Sequence, residues 1–129
     1  MASSTPGGGG QTNLGMAPNV AGLLCYVPCC IGLVFGIVAA IVEKQSRFVR
    51  FHAFQSLLLH AALFVICVGY QVLHLVISAA VGVLSVVMFP LGILLGLACV
   101  AVLIFMMVKA NGGEEYELPV IGGMAKGWV

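Results

Sequence analysis

The sequence predicts an all-α fold, a transmembrane helical bundle of about three spans. Three observations carry this. Apolar residues make up 62% of the 129-residue chain and charged residues only 7%, against roughly 25% charged in a soluble globular domain. The charges are segregated: no Lys, Arg, Asp or Glu occurs in residues 1–42 or 51–108. The uncharged stretches are also long enough, at about 1.5 Å per helical residue, to cross about 30 Å of hydrocarbon.

Residues 1–16 are rich in Gly, Ser, Thr, Pro and Asn and read as a disordered polar tail. They lack a basic region, so a secretory signal is not expected. The transmembrane domain is expected over 17–110. Its first helix should run from about 20 to 42, roughly 34 Å. Pro28 either kinks that helix or sets off a short N-terminal turn. Gly32 and Gly36 have the small-residue spacing that lets another helix approach closely. Gly92 and Gly96 are expected to serve the same purpose in the last helix.

Residues 43–50 form a connector whose cations, Lys44, Arg47 and Arg50, suit contact with anionic headgroups. The positive-inside rule places it in the cytoplasm. Residues 51–108 would measure about 87 Å as one helix, which fits two spans and a turn. The second helix is expected at about 48–76, a bend near 78–85 and the third helix at about 84–108. Pro90 marks a kink or the start of that helix. Three spans put the basic loop and a C-terminal tail, 111–129, in the cytoplasm and the N-terminus outside. Pro28 and Pro90 keep four spans open. Lys109 followed by Gly112-Gly113 is a plausible helix stop.

Several function classes are disfavoured. A net charge of +1 does not suit nucleic acid. The five cysteines are odd in number and lie in apolar settings, so no disulfide scaffold is expected. Cys25-x3-Cys29-Cys30 lacks the usual metal-ligand pattern, and no metal site is expected. There is no nucleophile–base–acid set, no phosphate loop and no buried Asp or Glu to expect. No catalytic residues are assigned, and the chain reads as non-enzymatic.

The second helix carries the chemistry. His52, Ser56, His60, Cys67, Gln71, His74 and Ser78 follow one another at intervals of 4, 4, 7, 4, 3 and 4 residues, with Gln55 close to the same side. Those intervals define one helix face. A polar stripe in a membrane helix turns to the bundle interior, a partner or a cavity. The leading expectation is packing within the bundle or docking to larger membrane subunits or a second copy. A lined solute path is an alternative. So is a tetrapyrrole on His60 or His74, which lie about 21 Å apart on nearly the same face. No cofactor is the plainer expectation.

The segment Arg47-Phe48-Val49-Arg50-Phe51-His52-Ala53-Phe54-Gln55-Ser56, preceded by Glu43-Lys44, resembles a family of small uncharacterised bacterial multi-span membrane proteins. Lys109-Ala110, Gly113, Tyr116 and Pro119 match its tail pattern, and Ala21 to Pro28 fits its early segment. That family is distantly similar to the chloroplast inner-envelope protein-import component. The resemblance implies the bacterial cytoplasmic membrane, a possible four-span topology, and a channel or translocation role as the functional alternative. It also implies that His52 and Gln55 fix the entry of the second helix.

Overall fold

The computed structural model describes residues 12–28 and 30–129. Most of the expected N-terminal tail, and Cys29, fall outside them. The fold is an all-α membrane bundle of five helices among the described residues: α1 (Pro18–Leu24), α2 (Cys30–Val42), α3 (Arg47–Ala80), α4 (Ser85–Asn111) and α5 (Ile121–Trp128). Two helical stretches are long and apolar enough to cross a membrane: α3, and Gly82–Asn111, which adds one 3₁₀ turn to α4.

The expected first span is not one helix. It is α1, a turn through Cys25–Pro28, and α2. With 13 residues, α2 is about 20 Å long, some two thirds of the hydrocarbon thickness. Gly32 makes the turn possible, because a Cβ there would stand 2.1 Å from the Val27 carbonyl oxygen. The two short helices fold against each other, and the direction of each follows from its neighbours. Asn13 donates its backbone N–H to Glu43, while Asn19 bonds the Asn111 carbonyl. Tyr26 reaches His52, and Cys30 stands near His60 and Phe64. The chain thus enters beside the α2–α3 connector, reaches roughly halfway up α3, and returns. Residues 12–16, the connector and the end of α4 share one end of the bundle, where every Lys and Arg also lies.

Sequence chemistry explains the helix limits. Ser46 caps α3 by accepting from the Val49 N–H. Glu43 sits under that cap, fully buried. One carboxylate oxygen accepts the Gln45 and Ser46 N–H groups at 2.8 and 2.9 Å, and the other accepts that of Asn13. This corrects the expectation that no carboxylate is buried: Glu43 is tolerated because three backbone donors replace its water. At the other limit, α4 stops where Gly113 adopts φ +79°, a backbone conformation that glycine takes without penalty. Pro90 lies in the first turns of α4 and does not divide it.

Residues 111–129 do not form a separate tail. They cross the basic end of α3, and α5 packs on it through Gly122 and Ala125. Trp128 meets Phe54 edge-on at 5.9 Å.

Candidate functional site

The buried polar centre lies at the basic end, between α3, the α1–α2 turn and residues 114–118. His52, Gln55 and Ser56 are all fully buried there. The His52 Nε2 lies 2.9 Å from the Glu114 carbonyl oxygen, which fixes that nitrogen as the donor. Its Nδ1 therefore accepts from the Tyr26 hydroxyl at 3.0 Å. The same hydroxyl accepts from the Gln55 amide, which also donates to the Tyr116 carbonyl, both at 2.9 Å. Gln55 Oε1 accepts the Leu118 N–H. Every polar atom of Gln55 and His52 side chains is thereby used. Aromatic edges of Tyr26, Phe48 and Phe51 enclose the imidazole.

This arrangement binds the C-terminal segment to the start of α3. Among the described residues, the polar side chains of this centre, Tyr26, His52, Gln55 and Ser56, are all hydrogen-bonded. Gly22 and Gly122 allow the close approach: a Cβ on Gly22 would be 3.1 Å from the Phe48 ring, and one on Gly122 would be 2.8 Å from Gln55 Oε1.

The rest of the stripe has different surroundings. Ser56 bonds back to the Ala53 carbonyl. His60 donates Nδ1–H to the Ser56 carbonyl at 2.8 Å, and its Nε2 has no partner. His60 and Cys67 line an apolar crevice of about 670 Å³ where the first turn of α2 meets α3 and α4. Gln71 is exposed on the outer half of α3. Gln71 and His74 line a separate crevice of about 250 Å³ with Phe89 and Gly92. Ser78 has no partner for its hydroxyl. The stripe therefore does not turn to one interior. His60 and His74 do not share a site, and among the described residues no group of three or more His, Cys, Asp or Glu side chains could hold a metal ion.

The other expected residues divide similarly. Gly36 abuts Ser56 and Leu57 of α3, and Gly92 abuts the Tyr70 ring, but nothing approaches Gly96 within 4 Å. Tyr70 also donates to the Met88 carbonyl, tying α3 to α4. Of the three connector cations, Arg47 pairs with Glu115. Arg50 donates to the Glu43 carbonyl and lies over Phe54. Lys44 is exposed. Sequence reasoning missed Tyr26, Glu43 and Asn13. The Glu43-Lys44 pair at a helix boundary was the available signal for the second, and a lone Tyr in an apolar run for the first.

Comparison with known proteins gives a consistent result. A family model described as the magnetosome magnetite crystal formation protein family (MamF/MmsF) matches residues 11–125. A UPF0132 membrane protein of Methanocaldococcus jannaschii is 36% identical, over 91% of this chain and 93% of its own length. One from Archaeoglobus fulgidus is 33% identical over 86% of this chain and 94% of its own. A second M. jannaschii relative is 29% identical over 88% of this chain and 71% of its own. These relatives are archaeal. No solved structure matches.

Proposed function

This chain belongs to the magnetosome magnetite crystal formation protein family, and on that footing we propose that it is a non-enzymatic structural or accessory subunit of a larger membrane assembly. One observation carries the reading: the bundle is complete only in its inner half. There, four helices and the C-terminal segment close on a fully bonded polar centre. The outer half is α3 and α4 alone, with Gln71 exposed and Ser78 unpartnered. Gln71 stands about 32 Å along α3 from Arg50, toward the far margin of the hydrocarbon. An amide there gains when another helix covers it.

The channel alternative has less support. The inner polar groups are committed to one another, and the large crevice is apolar. The family's description speaks of mineral formation, but Glu114, Glu115 and Glu117 each pair with a cation. We therefore infer a role in membrane assembly from the bundle itself, and not direct mineral contact. The basic end faces the cytoplasm by the positive-inside rule, with residues 12–16 and α5 on that side of a prokaryotic membrane.

The test is extraction into nanodiscs without detergent exchange, with a photo-crosslinking residue at Gln71 or at Ile41, which faces outward on α2. A larger co-purifying species, cross-linked from position 71 and not from 41, is expected. A lone monomer with only lipid adducts at both positions would overturn the proposal. Cross-linking to a second copy alone would reduce the assembly to self-association.

A further inference from the structure

The crevice at the start of α2 brings together two cysteines from different helices. Cys67 of α3 and Cys99 of α4 are 32 residues apart in sequence, yet their sulfurs lie 3.8 Å from each other. Both are free thiols and both line the crevice of about 670 Å³, with Phe64, Val100 and Leu103. Gly96, one turn before Cys99, has open space where a Cβ would stand. Closing the pair to a bond of about 2.05 Å needs a movement of under 2 Å, within reach of side-chain rotation. Cys67 is about 26 Å along α3 from Arg50, inside the hydrocarbon but in its outer part, one turn short of Gln71.

The apolar lining restricts the oxidant. A water-soluble disulfide would have to reach thiols surrounded by apolar side chains. Making a disulfide from two thiols releases two electrons and two protons together. A quinone is a lipid-soluble group that accepts that set, and the crevice volume falls within the usual range of about 300–1,000 Å³ for small-molecule sites.

We propose that this crevice is a quinone site, and that a bound quinone oxidises Cys67 and Cys99 to a disulfide that locks α3 to α4. One thiol sulfur adds to the quinone ring, and the second sulfur attacks the first and expels the reduced ring. Two S–H bonds break and one S–S bond forms. The quinone takes up two electrons and two protons and leaves as the hydroquinone. The balance requires no other reactant. The event is stoichiometric: each chain reduces one quinone and is then closed.

The test uses the reduced full chain in phospholipid nanodiscs with decylubiquinone. Quinone reduction is read by absorbance, and thiols by alkylation and peptide mass spectrometry. About one hydroquinone per chain is expected, with loss of two alkylatable thiols and a linked Cys67–Cys99 peptide. Cys67→Ser and Cys99→Ser are each expected to reduce the yield to background. Intact thiols and unreduced quinone in the unmodified chain would overturn the proposal. So would a disulfide that copper-phenanthroline forms and the quinone does not. Unchanged hydroquinone yield in Cys67→Ser would also overturn it, since the electrons would then come from other cysteines.

Discussion

Replacing Gln55 by leucine releases the C-terminal segment from the bundle. Leucine has a similar volume, so packing changes little, but it satisfies none of the groups that Gln55 serves. The Leu118 N–H and the Tyr116 carbonyl lose their partner, and the Tyr26 hydroxyl loses a donor. A buried polar group left unpaired costs about 1–3 kcal/mol. The three share one network and will not add fully, so a total of about 3 kcal/mol is expected. The segment lies at the membrane boundary, where water can take over the freed groups once it lifts. Amide exchange at Leu118, measured in nanodiscs, should accelerate by about 100-fold, the factor that corresponds to roughly 3 kcal/mol. Gln71→Leu, at an exposed position on the same helix, should leave that amide unchanged. Retained protection at Leu118 in Gln55→Leu would show that the segment is held by something else.

Gly32→Ala is the second large effect. The added methyl would stand 2.1 Å from the Val27 carbonyl oxygen, 2.8 Å from the Val27 nitrogen and 3.0 Å from the Cys25 carbonyl oxygen. All three are backbone atoms, so no flexible side-chain end can move aside. The α1–α2 turn must open, at a cost of about 3 kcal/mol or more. Two other glycines provide an internal scale. A Cβ at Gly36 meets only the Ser56 hydroxyl oxygen closely, at 2.9 Å, and that side chain can rotate. Gly96 meets nothing, and alanine gains up to about 1 kcal/mol over glycine within a helix. Thermal unfolding in one detergent should therefore rank Gly32→Ala lowest, Gly36→Ala next, and Gly96→Ala level with the unmodified chain or above it. Equal melting of Gly32→Ala and the unmodified chain would contradict the turn geometry.

The long helices were legible in the sequence because length and apolarity determine them. The expected limits of 48–76 and 84–108 lie inside Arg47–Ala80 and Gly82–Asn111, the second beginning one residue before α4 itself. The half-height hairpin was not legible. An apolar run from 17 to 42 contains enough residues for one span, and hydropathy counts residues without giving their direction. What decides the matter is the contact of Gly32 with the Val27 backbone, which has no one-dimensional signature. The polar centre was half legible. His52 and Gln55 stand out as polar residues at the opening of an apolar helix. Their partners are backbone groups of residues 114–118, which every sequence possesses, and Tyr26, whose ring reads as apolar. Glu43 read as a solvated charge because its three donors are likewise backbone N–H groups.

The half-height hairpin puts residue 17 at the same end of the bundle as the α2–α3 connector and α5, whereas a full first span would separate them. Single cysteines at Ala17, Lys44 and Lys126 probe this directly, since all three positions are exposed. In sealed right-side-out vesicles treated with a membrane-impermeant maleimide, all three should remain unlabelled, and all three should react in inverted vesicles. Labelling of position 17 from the side opposite to positions 44 and 126 would contradict the fold described above and restore an odd number of spans.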